Sequence, residues 1–186
     1  MCKLKSCWSE AMSCLESPPS DMRSWLKIGF AVTIFSLLWG LMVTGIIIRS
    51  YSLEPPEINW NLPSAMHLVG QMMGVLGETA IAQWWLIALT VILCGRKRVG
   101  ILLMVALPAS LYFGMAHYEL FRDFAGRNMA IVCAAALQGV LFLVWGLLFV
   151  KCVDAKSQFQ FKALAAVSFS HFLYNIFIIR LIAFCW

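Results

Sequence analysis

Residues 26–48 read LKIGFAVTIFSLLWGLMVTGIII, with no charged side chain between Lys27 and Arg49. A helix rises about 1.5 Å per residue and needs about 20 apolar residues to cross the hydrocarbon core of a bilayer. The stretch therefore predicts a transmembrane helix. It is too long for the apolar core of a cleavable signal, and residues 1–25 carry Lys3, Glu10, Glu16, Asp21 and Arg23 with no apolar run of their own, so the first helix is expected to stay as a span. Outward from this stretch the composition agrees. With 62% hydrophobic and 12% charged residues and a mean hydropathy of +0.84, the 186-residue chain reads as an integral membrane protein.

Four more apolar stretches follow, at 64–94, 99–120, 128–150 and 163–185. The expected fold is an all-α polytopic bundle of about five transmembrane helices: residues 1–25 form a cytoplasmic N-terminal segment and 26–186 a single transmembrane domain. The second stretch is too long for a straight crossing, so it is expected to tilt, to break near Gly74 and Gly77, or to begin as an interfacial turn. Pro55-Pro56 and Pro63, with Asn59 and Asn61, mark a loop after the first span. Lys3, Lys5, Arg23 and Lys27, then Arg96-Lys97-Arg98, then Lys151, Lys156 and Lys162 all fall on one side of a five-span path, while the opposite loops are balanced. The positive-inside rule then gives a cytoplasmic N-terminus and an external C-terminus. The net charge of +5 is topology rather than a nucleic-acid surface, because the cations punctuate apolar spans instead of clustering on one face. No nucleic-acid partner is expected; the partner is the lipid bilayer. The seven cysteines show neither CxxC nor Cys/His ligand spacing and are assigned no chemistry.

Against this background a few polar residues stand out. Glu78 lies in Gly77-Glu78-Thr79-Ala80, His117 closes Phe113-Gly114-Met115-Ala116-His117, and His171 precedes Asn175 by one helical turn. An ionisable group inside a span costs several kcal/mol, so three on separate segments ask for a common reason, a shared intramembrane site. Each has a plainer reading: a carboxylate in a hydrated kink, an interfacial histidine beside Tyr118 and Glu119, a hydrogen-bonded packing histidine, and an asparagine holding helices together. His67 and Gln71, near a loop boundary, are read as structural, and the Met72/Met73 and Trp84/Trp85 pairs as packing and belt residues. Counting rise per residue, the polar groups can meet in the outer half of the membrane if the third span runs on through Tyr118 to about Asp123.

In order, these motifs resemble those of the CPBP family, the CAAX-protease and bacteriocin-processing (Abi) family of glutamic intramembrane proteases. The family's Glu-Glu-x-x-x-Arg is matched by Glu78 to Gln83, its Phe-x-x-x-His by Phe113 to His117, and its His-x-x-x-Asn/Asp by His171 to Asn175. Two positions depart: Thr79 stands for the second Glu and Gln83 for the Arg. Both changed together, as two neutral groups replacing an ion pair would.

The resemblance implies a metal-independent endopeptidase without cofactor, in the bacterial cytoplasmic membrane, acting on a membrane-embedded or membrane-adjacent peptide or protein tail such as a C-terminal sorting signal. In that reading Glu78 and His117 hold and deprotonate a water, and His171 and Asn175 donate hydrogen bonds to the oxyanion. Two other classes stay open: a non-catalytic bacteriocin-immunity or scaffold protein, and a metal or proton carrier using Glu78, His117 and His171.

Overall fold

The computed structural model describes residues 9, 12–13, 15, 17–19, 21–54, 63–95, 98–154, 156 and 160–185. Several residues used above lie outside the described ones: Lys3, Lys5, Glu10, Glu16, Arg96, Lys97, the Pro55-Pro56 pair with Asn59 and Asn61, and Cys2, Cys7 and Cys14.

Helix α1 spans Met22–Tyr51. Its start is fixed by Asp21, whose carboxylate accepts the Ser24 N–H at 2.6 Å; these Ser24 hydrogen bonds hold the Asp21 carboxyl below its ordinary value. Its end is Ser52, left-handed at φ 52, which donates its N–H to the Ile48 carbonyl. Every fourth residue of α1 from Phe30 through Ile34, Leu38 and Met42 to Ile46 is exposed. Such a continuous apolar stripe belongs against lipid, not water.

Helix α2, Ala65–Thr79, starts at Ser64, whose hydroxyl accepts the His67 N–H. It does not break at Gly74 or Gly77, the expected weak points. The irregularity comes just after Glu78, as a single wide π turn over Ala80–Trp84, and α3 continues over Trp85–Cys94 to Gly95 at φ 72. Geometry explains the turn. Val75, Thr79, Gln83, Ile87 and Val91 are all buried at intervals of four residues, and in a straight α-helix that spacing drifts around the axis by about 40° per step. A wider turn takes up part of the drift and keeps one face inward. The Trp85 indole, expected only to sit in the lipid belt, donates to the Ile81 carbonyl within this turn at 2.8 Å.

The remaining chain forms α4 (Val99–Met115), a 3-10 turn (Ala116–Tyr118), α5 (Glu119–Ala134), a second π turn (Ala135–Gly139), α6 (Val140–Cys152) and α7 (Phe161–Cys185). Four helical runs among the described residues are long and apolar enough to cross a membrane, against the five spans expected, because 99–120 and 128–150 belong to one 54-residue run, Val99–Cys152. At about 81 Å that run is more than twice the thickness of a bilayer core. It folds back at Gly126, where φ 69 and ψ 163 lie in a region open essentially only to glycine. Gly114 then faces Gly139, and Ser110 faces Gly146, so the numbering of the two legs runs in opposite directions. Meanwhile α1 and α7 are parallel: the Thr33 hydroxyl donates to Ser170 Oγ at 3.0 Å, and Gly40 lies against Tyr174 and Ile178. Parallel first and last helices require an odd number of crossings, and the four runs make five legs.

At the centre stands α6, where Phe142, Trp145, Phe149 and Val150 are almost wholly buried. The π turn before it is tied to α1, since the Trp39 indole donates to the Ala136 carbonyl at 2.8 Å. Without that donor the carbonyl would be costly at membrane depth. Ahead of α7, the Gln160 side chain closes its loop by accepting the Asp154 N–H and donating to the Asp154 carbonyl.

A Cβ at position 114 would lie 2.3 Å from the Gly139 Cα, a backbone atom that cannot step aside. Gly114→Ala is therefore expected to lower stability by about 1–3 kcal/mol or more, and Gly126→Ala by about 1–3 kcal/mol through backbone strain. Gly70 has nothing within 4 Å of its would-be Cβ, so Gly70→Ala should be neutral or stabilising by up to about 1 kcal/mol. Thermal unfolding in detergent, followed by helical circular dichroism, tests the ranking; equal melting of Gly114→Ala and the parent would contradict the close hairpin.

Candidate active site

Three sequence-predicted residues meet in the interior. His171 Nε2 stands 3.7 Å from Glu78 Oε2, across the α2/α7 contact. That is longer than a direct hydrogen bond, and the two form an ion pair only when the imidazole is protonated. The carboxylate keeps 38% of its side chain exposed while the imidazole keeps 5%, so Glu78 is the member of the couple open to an incoming molecule. His117 lies within Coulombic reach of both. Glu78 falls near the middle of the Ala65–Cys94 run and His171 near the middle of α7. Along their own helical runs, both groups of the couple lie well away from either end.

Aromatic rings from α6 set the two imidazoles in place. Trp145 stacks on His171 with ring centroids 3.9 Å apart and planes 24° apart. Phe142 lies between the histidines, 5.6 Å from each ring, and Phe113 packs on both Phe142 and His117. Tyr174 abuts the far side of Trp145 edge-on at 5.6 Å. Such rings exclude water and fix ring orientation through many weak contacts. None of Phe142, Trp145 or Tyr174 announces itself in the sequence, because an aromatic residue in an apolar span looks the same whether it meets lipid, core or an imidazole.

His117 occupies the 3-10 turn at the end of α4, and the helical leg runs on beyond it through Glu119. Its Nδ1 is 3.0 Å from the Phe113 carbonyl. A carbonyl only accepts, so Nδ1 carries the proton and Nε2 of the neutral ring is left as an acceptor. Phe113 of the Phe-x-x-x-His motif thereby sets the tautomer through its backbone. Asn175 is half-buried one turn beyond His171, on the same helix face. It makes no hydrogen bond to Glu78, His117 or His171, and the structure brings it to the site only through that spacing. His67 is exposed, while Gln71 Oε1 is buried with no partner among the described residues.

The two departures from the resembled motif behave differently. Gln83, 1% exposed, donates from Nε2 to the Phe142 carbonyl at 3.1 Å and to Ser110 Oγ at 3.4 Å. It joins the first π turn to α4 and α6 directly behind the aromatic pair. Gly146 permits this, since a Cβ there would come within 2.6 Å of Ser110 Oγ. Thr79 is equally buried, but its hydroxyl has no partner among the described residues. Of these two neutral groups, then, Gln83 makes hydrogen bonds between helices and Thr79 makes none among the described residues. Among the described residues no three His, Cys, Asp or Glu side chains are placed to hold a metal ion.

Gln83→Leu keeps volume but removes the donor to Phe142 and Ser110, and should cost about 1–3 kcal/mol. Gln83→Glu buries a carboxylate with no cation beside it and should cost more, about 3–5 kcal/mol. Denaturant or thermal titration in detergent decides between them; a Glu variant as stable as the parent would mean that water reaches position 83.

No family model matches the chain, and no curated protein and no solved structure matches it.

Proposed function

We propose that this membrane protein is a metal-independent intramembrane endopeptidase of the glutamic, CPBP-like type. The observation that carries the reading is the convergence of Glu78, His171 and His117 from three separate helical runs, with Glu78 Oε2 and His171 Nε2 3.7 Å apart. A half-exposed carboxylate facing a buried imidazole within a membrane span is expensive, and such an intramembrane ionisable group is a functional candidate by default.

The chemistry follows from donor and acceptor roles. Glu78, the more open group, takes a proton from a water that His117 Nε2 helps to orient by accepting its other hydrogen. The hydroxide adds to the peptide carbonyl carbon. Negative charge then gathers on the carbonyl oxygen, to which the His171 Nε2–H and the Asn175 amide donate. Collapse breaks the C–N bond as the Glu78 carboxyl returns its proton to the departing amine, leaving one new carboxylic acid and one new amine. The low dielectric of the aromatic pocket strengthens each of these hydrogen bonds. The charge pattern supports an N-terminus inside; the bacterial cytoplasmic membrane, and a membrane-embedded or membrane-adjacent tail as substrate, follow from the resemblance.

A neutral Gln83, its Nε2 hydrogen-bonded to Phe142 and Ser110, where the resembled motif has an arginine favours one rival, a non-catalytic immunity or scaffold protein on the same fold.

Cleavage of a library of membrane-anchored peptides, reconstituted with the protein across pH 5 to 9, tests both. Glu78→Gln should lower the rate by about 10²-fold to 10⁴-fold with folding intact, and His117→Ala likewise. Both should reshape the pH profile. Asn175→Ala should lose about 10²-fold to 10³-fold with the profile unchanged, since an amide does not titrate here. Unaltered cleavage in all three variants would sink the assignment, no cleavage by the parent of any peptide would favour the scaffold, and activity lost to EDTA and restored by zinc would move the chemistry to a metal.

A further inference from the structure

Helices α1 and α2 each pack on α7 and leave between them a groove of about 670 Å3. That volume is within the range of small-molecule sites. Leu26 and Gly29 form one wall, Met72 and Leu76 the other, and Ser168 and Phe169 the floor. At the mouth stand Asp21 and Lys162. Asp21 is committed to capping α1; Lys162 has no ion-pair partner among the described residues.

The inner end of the groove approaches the candidate site. Leu76 precedes Glu78 by two residues, and Ser168 precedes His171 by one helical turn. Two features separate a polypeptide occupant from a lipid tail. The Ser168 hydroxyl is buried with no hydrogen-bond partner among the described residues, a cost that a hydrocarbon chain would leave in place and a backbone amide would remove. An unwound peptide, for its part, cannot lie in bare lipid and needs a protein-lined channel with polar groups at its end.

We infer that this groove is the lateral entrance for substrate, and that it selects an apolar polypeptide segment bearing an acidic side chain at the membrane surface, held by Lys162 at the mouth. This rests on the endopeptidase reading for the fate of the segment, not for its capture. Lys162 and His171 are nine residues apart on α7, about 14 Å along the axis. Extended chain covers that in about four residues. The acidic side chain therefore lies about four residues from the peptide bond presented to Glu78.

The test is photo-crosslinking from benzoylphenylalanine placed at Leu26 or Phe169, which are exposed at the groove, and at Leu38 on the lipid face of α1 as control. The Glu78→Gln protein is used so that bound peptide survives, in phosphatidylcholine vesicles containing a leucine–alanine transmembrane peptide. The probe carries Gly-Gly, to permit unwinding, four residues from an aspartate; its twin carries lysine instead. Capture at Leu26 and Phe169 should exceed that at Leu38 by about tenfold. The aspartate peptide should be preferred by about fivefold, and Lys162→Glu should reverse the preference. Equal capture at Leu38, phospholipid adducts in place of peptide adducts, or indifference to Lys162→Glu would each overturn the proposal. Because capture needs no turnover, capture without cleavage by the parent protein would leave the entrance standing and remove the endopeptidase. Cleavage without groove-specific capture would do the opposite.

Discussion

The fold turns on the approach of two backbones. Gly114 and Gly139 let the legs of the Val99–Cys152 hairpin come close enough that a single methyl at position 114 would meet main chain at 2.3 Å. In lipid, where the hydrophobic effect gives helices no reason to associate, such contact between small residues is what holds a bundle together. The same approach delivers the site: it sets Phe142 of α6 between His117 of the α4 leg and His171 of α7.

Much of this was legible in the sequence, for a simple reason. A bilayer demands long apolar runs, so their number and approximate limits can be counted, and it penalises ionisable groups, so Glu78, His117 and His171 identify themselves. The structure brings those three together. What escaped is what depends on close packing. The hairpin's continuity through Gly126 looked like a loop between two spans because Glu119, Arg122, Asp123 and Arg127 are polar, although helix persists up to the glycine and resumes after it. Span length could not show that Gly74 and Gly77 stay helical, since the cost of glycine in a helix is small, whereas the four-residue recurrence of Val75, Thr79, Gln83, Ile87 and Val91 does foreshadow a wide turn. Trp145 carried no signal, being one tryptophan among eight.

The π turns also show how the membrane is accommodated. Each disturbs the regular hydrogen bonding of a helix at a depth where water is scarce, and an indole N–H answers in each: Trp85 to the Ile81 carbonyl, Trp39 to that of Ala136. Trp85, expected as a belt residue, and Trp39 thus repair backbone. In exchange, the first turn faces Gln83 inward immediately after Glu78, so the helix that presents the carboxylate is anchored to α4 and α6 by an amide with both donors engaged.

The distribution of unanswered polar atoms separates scaffold from site. Most of the buried hydroxyls and amides that join helices are hydrogen-bonded: Thr33 to Ser170, Ser36 to its own helix, Gln83 Nε2 to α4 and α6. Those without partners among the described residues include the Thr79 hydroxyl, Gln83 Oε1, the Trp145 indole N–H and the Ser168 hydroxyl. Their places in sequence are not scattered. Thr79 adjoins Glu78, Trp145 stacks on His171, Ser168 lies one turn before it, and Gln83 lies behind the aromatic pair. A bundle selected only for stability would replace such groups with hydrocarbon, because an unpaired buried polar atom costs about 1–3 kcal/mol. Their concentration around Glu78 and His171 sets that region apart from the helix-to-helix contacts, where the buried polar groups are paired.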